Sequence, residues 1–338
     1  MKTRLIDSLL NSSIRMRFFD VSQLFFSNML TVLNYHRVDD PFRAGFDTLK
    51  INVSATPCEF SLQMDYVKDH FNVINCEHLV SYLRGEKELP PHAAIITFDD
   101  GYHDNLSNAY PILKERNLPA IIFLATAFIG KDEPFYWDYV SYCFYHTTRR
   151  QAHLPLIGDC SWVDEHSRDL IMHRWMETIK RIPETQKQDC VSQIGKILEV
   201  VVPERAFDKL YLNWDQVRVM SESGLIEFGA HTVSHPILTR IPIDQAEYEI
   251  RESKKKIEEE TGKTVTALAY PNGGQADFSQ AVMQAAEDAG IKVAFSLLSG
   301  PTRYATVKKN AFAVRRTFLA YYDSFPRFVA KISGLARF

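Results

Sequence analysis

The sequence predicts an α/β fold: a (β/α) barrel, seven- or eight-stranded and distorted, with a helical insertion. Short apolar and β-branched runs alternate with helical segments along most of the chain, which is typical of a parallel sheet with crossover helices. The 338 residues suffice for one barrel domain of about 250 residues and an insertion. Hydrophobic residues make up 46% of the chain, enough for a normal core, and the net charge of −3 gives no support for a nucleic-acid partner.

The first half of the predicted barrel contains four strands and the helices between them. A capping box that begins at Thr56 starts a helix that runs to about His70. Further helices are predicted over 77–84 and 105–116. The strands are predicted over 31–35, 71–74, 93–98 and 119–125.

The second half of the barrel repeats this alternation after a long interruption. A short helix is predicted over 215–223, Asp244 caps a strongly charged helix that ends at Gly262, and a third helix covers 277–289. The strands are predicted over 225–229, 265–270, 291–297 and 311–314.

The interruption, residues 131–213, is rich in aromatic and charged residues, with helical runs near 164–181 and 184–201. We interpret it as a helical insertion in one βα loop, which could bind substrate, join subunits or act as a lid. Residues 31–130 and 214–320 are then predicted to form the barrel.

The two ends of the chain, 1–30 and 321–338, combine basic, aromatic and aliphatic residues and are predicted to be helical segments. Either could pack on its own domain or touch a membrane surface. No signal-peptide h-region is visible, and the longest apolar run, 120–130, is too short to span a bilayer. Five cysteines without C-x-x-C spacing favour a reducing compartment over a disulfide framework. We therefore expect a cytoplasmic protein, with peripheral contact to the inner face of the membrane as an open alternative.

The stretch Ala94–Tyr102 is the most informative part of the chain. An apolar run that reads as a buried parallel strand ends in two neighbouring carboxylates, Asp99 and Asp100, followed by Gly101. Parallel strands of α/β proteins carry functional residues at their C-terminal ends. A metal ion bound by one carboxylate would leave the other to act as a base. Taken alone, the same residues also fit an ordinary turn with a helix cap.

A second predicted strand leads into a pair of histidines, His231 and His235. Their i, i+4 spacing would place both imidazoles on one side of a helical turn, where both can reach one ion. Two histidines and a carboxylate leave an open position for water, the pattern of a catalytic metal site. A lone H-x-x-x-H pair is common by chance, so the metal prediction depends on the Asp99–Asp100 strand end as its partner.

Three motifs follow one another along the chain: TFDDG at Thr97–Gly101, HTVSH at His231–His235 and AYPNG at Ala269–Gly273. They resemble the first, second and third motifs of the polysaccharide deacetylases of carbohydrate esterase family four, the chitin-deacetylase-like enzymes. The resemblance extends over the strands from about Thr31 to Arg316 and excludes the insertion.

The resemblance implies a role for several residues at the strand ends. Asp100, His231 and His235 would hold a divalent metal, with zinc as the first choice, and Asp99 would be the general base. The backbone N–H of Asn272 would help to stabilise the oxyanion.

Two positions depart from the family pattern. The third motif usually carries an Arg that orients the base, but here the matching residue is Ala269; Arg315 or Arg316 could replace it, and we select Arg315. The family's C-terminal general-acid histidine is absent, because no histidine follows His235. His36 ends the first strand, which neighbours the last strand in a closed barrel. We predict that His36 is the general acid, an arrangement that resembles the circularly permuted exopolysaccharide deacetylases. The alternatives are that the arginine at the strand end lies on a solvated surface and that His36 is a buried or capping residue without a catalytic role.

The resemblance implies a metal-dependent hydrolase that removes the N-acetyl group from an amino sugar in a polysaccharide or glycoconjugate and releases acetate. The partner would be that N-acetylated glycan. Two other classes stay open: a non-catalytic glycan-binding homologue, because of the missing third-motif Arg, and an O-acetyl esterase or amidase that acts on another substrate.

Overall fold

The computed structural model describes residues 27–334, and the chain forms two compact units. Of the described residues, the first unit contains 27–40, Ile51–Ile129 and 211–334; the second contains Pro41–Lys50 and Gly130–Leu210. The strands are β1 (Met29–Tyr35), β2 (Arg37–Val38), β3 (Val53–Ala55), β4 (Asn72–Val73), β5 (Ala93–Phe98), β6 (Ala120–Leu124), β7 (Gln151–Leu154), β8 (Gly158–Ser161), β9 (Ile226–Ala230), β10 (Ala267–Ala269), β11 (Val293–Phe295), β12 (Thr302–Arg303) and β13 (Thr317–Phe318). The α-helices are α1 (Pro57–His70), α2 (Cys76–Leu83), α3 (Tyr110–Arg116), α4 (Tyr136–His146), α5 (Glu165–Ile179), α6 (Glu184–Ile197), α7 (Trp214–Glu222), α8 (Ile243–Thr261), α9 (Gln280–Asp288), α10 (Tyr304–Lys309) and α11 (Phe325–Ile332).

One nine-stranded sheet forms the centre of the first unit. Its strands are neighbours in the order β11-β10-β9-β6-β5-β1-β12, with β4 also paired to β5 and β13 to β1. Only the β1–β12 pair in this sheet is antiparallel among the described residues. Val314 bridges to Phe295 at one edge, and β13 pairs with β1 near the other, so residues 314–318 connect the two sides. The predicted α/β class and barrel-like parallel sheet are confirmed.

The strands place alternate side chains in two different cores. Leu33 and Ile96 belong to the set that packs against the surrounding helices. The other set faces the interior of the barrel and includes Val32, Ile95, Phe123, Phe295 and Val314. Because side chains alternate along a strand, the residues that continue these inner rows appear at the barrel mouth.

The predicted helix and strand boundaries are largely confirmed, with three corrections. The predicted strand over 311–314 is wrong: Ala311–Ala313 is a 3-10 turn, and the last strand is β13. Helix α8 begins at Ile243, because Pro242 occupies its N-cap position with φ −56°. Helix α9 is capped by Ser279, whose side chain accepts from Val282 N–H, because Asp277 instead accepts from Gly274 N–H.

The ends of the chain were predicted to be helical segments. Residues 1–26 of the predicted segment 1–30 lie outside the described residues, and Met29 already belongs to β1. Helix α11 falls within 321–338 and packs on the first unit, where Ile332 O accepts a hydrogen bond from Thr31 Oγ1 at 3.2 Å. Among residues 27–334, no helix has both the length and the apolar character needed to cross a bilayer.

The second unit contains the two helices predicted for the insertion, α5 and α6, together with α4 and the β7–β8 hairpin, which the sequence did not indicate. It also includes Pro41–Lys50, which precede the predicted insertion by many residues. Trp175 of α5 is fully buried in it, and its indole N–H donates to Pro155 O at 2.9 Å.

Candidate active site

Asp100, His231 and His235 lie together at the ends of β5 and β9. Asp100 Oδ1 is 3.6 Å from His231 Nε2 and 3.5 Å from His235 Nε2, and the two Nε2 atoms are 3.1 Å apart. Ligand atoms about 2.1 Å from a tetrahedral ion would be about 3.4 Å apart. The structure therefore brings the three predicted ligands to distances that fit one divalent metal, and they form a group that could hold an ion.

The orientation of His231 supports this fit. Its Nδ1 atom lies 2.8 Å from Ala269 O, so Nδ1 carries the proton and donates, and Nε2 presents its lone pair toward Asp100 and His235. Burial lowers the pKa of His231, which favours the neutral ring that a metal requires.

The loop that carries the two histidines is not the helical turn predicted from their spacing. Thr232 and His235 have φ values of 68° and 57°, in the left-handed region. The carboxylate of the buried Glu249 holds this loop by accepting hydrogen bonds from Val233 N–H at 2.7 Å and Ser234 N–H at 2.8 Å. The Glu249 carboxylate on α8 therefore fixes the conformation of this loop, in place of the hydrogen bonds of the expected helical turn. The i, i+4 spacing correctly predicted that the two imidazoles converge, but a loop and not a helical turn brings them together.

Asp99 has a different environment from its neighbour Asp100. Its carboxylate accepts two hydrogen bonds from Arg316, at 2.6 Å and 2.8 Å, and one from Asn34 Nδ2 at 3.0 Å. Burial alone would raise the pKa of Asp99, but Arg316, together with His231 and His36, outweighs burial and holds that pKa well below its usual range. Asp99 is thus a buried, deprotonated carboxylate with a fixed orientation.

The arginine at this site is Arg316, so the selection of Arg315 is wrong. Adjacent residues in an extended segment point to opposite sides, and Arg316 shares the inner side with Val314. Arg316 is fully buried and also donates to Ser296 O, whereas Arg315 is partly exposed and donates to Ser299 O at 3.4 Å. Arg316 and Asn34 are thus the two residues around Asp99 that the sequence interpretation did not select. The two-residue repeat of β1 was a signal that Asn34 faces the barrel interior, whereas the 3-10 turn at Ala311–Ala313 leaves no such repeat before Arg316.

His36 follows β1, and its Nε2 lies 3.9 Å from Asp99 Oδ2. Its ring packs edge-on against Phe318 of β13, so the first and last strands are neighbours, as expected. Burial is the main reason that the pKa of His36 is lowered to about 4, with Asp99 opposing this shift and Arg316 and His231 adding to it.

Asn272 lies in the turn after β10 with φ 63°, and the peptide that follows makes a tight contact, Gly273 N–H to Pro271 O at 2.7 Å. Within residues 27–334, no acceptor receives a hydrogen bond from the Asn272 N–H. A donor in this state can serve an incoming oxyanion.

Gly101 follows the two carboxylates directly, with φ +75°. A Cβ there would lie 2.7 Å from Leu124 Cδ2 and 2.9 Å from Ile129 Cδ1, whereas a Cβ on Gly224, at φ +72°, would have nothing within 4 Å. We expect Gly224→Ala to cost about 1 kcal/mol of unfolding free energy from backbone strain, and Gly101→Ala about 1–3 kcal/mol more from overpacking. Denaturant unfolding of both variants measures the difference. Equal losses would contradict the close packing around Asp99 and Asp100.

A parallel barrel with an Asp-His-His cluster and a separate, arginine-paired carboxylate at its mouth is typical of the metal-dependent hydrolases. The family model described as polysaccharide deacetylase matches residues 86–294, which is more than half of the chain. The chain therefore belongs to the polysaccharide deacetylase family. Asp99, Asp100, the two histidines and Asn272 lie inside this range, whereas His36 and Arg316 lie outside it.

Curated relatives match a smaller part of the chain. A poly-beta-1,6-N-acetyl-D-glucosamine N-deacetylase of Staphylococcus epidermidis is 33% identical over 112 residues, which are 30% of this chain and 38% of that protein. The protein of the same name from Staphylococcus aureus is 30% identical over 121 residues, 34% of this chain and 42% of that protein. The matched region thus spans about two fifths of these relatives.

Solved structures share the fold over most of the chain. The Streptococcus pyogenes deacetylase PplD in complex with acetate has a TM-score of 0.59 at 16% identity, covering 90% of this chain and 98% of that one. IcaB from Ammonifex degensii has a TM-score of 0.58 at 19% identity, covering 90% and 97%.

Proposed function

We propose that this protein is a metal-dependent N-deacetylase that hydrolyses the acetamide of an N-acetylated amino sugar in a glycan and releases acetate. The observation that carries the proposal is that two adjacent carboxylates have different contacts. Asp100 contacts two imidazoles, and Asp99 is held deprotonated by Arg316. Membership of the polysaccharide deacetylase family supports an acetylated sugar as the substrate.

Asp100, His231 and His235 would hold the metal, and their two nitrogens and one oxygen suit Zn²⁺. A divalent metal at this site supplies positive charge that lowers the pKa of a water molecule and polarises the scissile carbonyl.

The remaining residues move protons and stabilise charge. Asp99 takes a proton from the water molecule as its oxygen attacks the acetamide carbonyl. The Asn272 N–H donates to the oxygen that becomes negative, and Arg316 keeps Asp99 oriented and ionised. His36 takes up a proton from solvent during the reaction and donates it to the departing amine, which leaves as the free amino sugar. The acetyl group leaves as acetate, and Asp99 releases to solvent the proton that it took from water.

His36 is neutral at pH 7 in this structure, because its pKa is about 4. Its role as general acid therefore requires a proton gained during the reaction. The negative tetrahedral intermediate next to its ring favours that protonation by direct electrostatic attraction.

The sugar polymer is proposed from the relatives. The two curated relatives described above are named poly-beta-1,6-N-acetyl-D-glucosamine N-deacetylase, and we propose a β-1,6-linked N-acetylglucosamine polymer as the first substrate to test. The cytoplasmic location and lipid contact through the termini stay predictions, which cell fractionation tests.

We expect the metal-loaded protein to release acetate from β-1,6-linked N-acetylglucosamine oligomers, and a chelator-treated sample to lose at least about 10²-fold in rate because the attacking water is no longer activated. Acetate release and metal content per chain are the measurements. Re-addition of Zn²⁺ should restore the rate.

The substrate panel separates the proposal from its alternatives. Equal acetate release from O-acetylated sugars would indicate an esterase, and release only from a small-molecule amide would indicate an amidase. Tight glycan binding without acetate release in the metal-loaded protein would identify a binding homologue and contradict the proposal.

A further inference from the structure

The ring of His36 is fixed without a hydrogen-bond partner of its own. Its Nδ1 atom is buried and has no hydrogen-bond partner among the described residues, and its Nε2 is 3.9 Å from Asp99 Oδ2, too far for a hydrogen bond. A histidine that acts in catalysis is usually oriented by a carboxylate or carbonyl on its second nitrogen. Here the orientation must have another source.

The backbone of His36 supplies that source, because side chains bind both of its polar groups. His36 N–H donates to Ser54 Oγ at 2.9 Å, and His36 C=O accepts from Asn105 Nδ2 at 2.8 Å. Ser54 is on β3 and is 1% exposed, and Asn105 is also 1% exposed. Two buried side chains from separate parts of the chain therefore fix this one residue.

Asn105 belongs to a short π-helical segment, Asn105–Ala109, which begins four residues after the TFDDG motif. Two nearby side chains bind Val38 of β2, two residues after His36: Asp104 accepts from Val38 N–H at 2.9 Å, and Asn108 donates to Val38 O at 2.7 Å. Single π-turns widen a helix locally and often occur at functional sites. Here polar side chains in and next to the wider turn form hydrogen bonds with the backbone of His36 and of β2, which follows it.

We propose that Ser54 and Asn105 are positioning residues that set the location of the His36 ring through its backbone and leave the Nε2 atom for the reacting groups. This inference rests on the proposed function, in which His36 is the general acid. Asn105, which lies four residues after the motif that supplies Asp100, then acts by holding the backbone of His36. The segment that supplies a metal ligand then also fixes the proton donor, so the two keep a constant separation.

The test uses Ser54→Ala and Asn105→Ala, each alone and combined with His36→Ala, in the full metal-loaded chain. We expect each single variant to lower kcat by about 10- to 100-fold, because displacement of a catalytic group by about 1 Å has effects of this size. KM and metal content should stay within about twofold, since neither residue belongs to the metal cluster. In the His36→Ala background, neither substitution should lower kcat further.

A control is Asn213→Ala, which removes a side chain-to-backbone hydrogen bond elsewhere in the chain, where Asn213 Oδ1 accepts from Gln216 N–H at 2.9 Å at the start of α7. It should leave kcat unchanged. Losses that multiply in the His36→Ala background would show that Ser54 and Asn105 only support the fold, and would overturn the proposal. A His36→Ala variant within a few-fold of wild type would instead remove the catalytic role of His36, and the positioning role with it.

Discussion

Asp99→Asn is expected to lower kcat by about 10²- to 10⁴-fold while one metal ion per chain is retained. Asparagine has nearly the shape of aspartate but cannot accept a proton from water. Asp99 contacts Arg316 and Asn34 rather than the two histidines, so its amide leaves the metal cluster intact. Acetate release under saturating substrate, together with metal content per chain, measures both parts of the expectation.

Asp100→Asn is the control that the chain itself provides, one residue away. Asp100 is within 3.6 Å of both histidine Nε2 atoms, so its loss should lower metal content and activity together. If Asp99→Asn lost the metal, or if Asp100→Asn kept both metal and activity, the assignment of roles to the two carboxylates would be reversed or wrong.

Arg316→Met is expected to destabilise the protein by about 3–5 kcal/mol, because it leaves Asp99 as an uncompensated charge in the barrel interior. Both side chains of the pair are at most 2% exposed. The same substitution at Arg315, which is partly exposed, should change the unfolding free energy by less than about 0.5 kcal/mol. Denaturant unfolding of the two single variants gives a direct comparison between neighbouring arginines.

The double variant Asp99→Asn/Arg316→Met removes both charges and should recover much of the lost stability without recovering activity. Such a recovery would show that Arg316→Met loses stability because the charge of Asp99 is unpaired, and not because of a packing defect. Equal effects of the substitution at 315 and 316, or no recovery in the double variant, would contradict a buried ion pair between Asp99 and Arg316.

The same ion pair makes a prediction about pH. Arg316 holds the pKa of Asp99 below its usual range, so the pair stabilises the fold above the unfolded-state pKa of about 4, and this contribution is lost as the pH falls through the lower folded pKa. Arg316→Lys keeps a positive charge but loses the two-point contact, so the pKa of Asp99 should rise. The acid limb of the kcat/KM profile should therefore move to higher pH. An unchanged limb would mean that Asp99 is not the group that must be ionised.

Part of the active site was predictable because it depends on local sequence. The ends of β5 and β9 were identified from apolar runs that stop at charged residues, and the TFDDG and HTVSH motifs indicated which side chains converge. The structure places Asp100, His231 and His235 within metal-binding distance of one another. It also places His36 near Asp99, because β1 pairs with β5 and Tyr35 lies opposite Phe98.

The residues that were missed depend on contacts between distant segments. Arg316 and Asn34 contact Asp99 across 217 and 65 residues of sequence, and no local pattern links them. Glu249 holds the histidine loop from α8, a contact that the i, i+4 spacing of the two histidines does not reveal.

The sequence by itself determined the alternation of strands and helices, the strand ends that carry carboxylates and imidazoles, and hence the family. Only the tertiary structure decided which of two adjacent arginines enters the barrel, and how His36 is held. The physical reason is that sequence periodicity fixes which residues share a face, whereas the partner of a buried charge depends on which strands the curled sheet brings side by side.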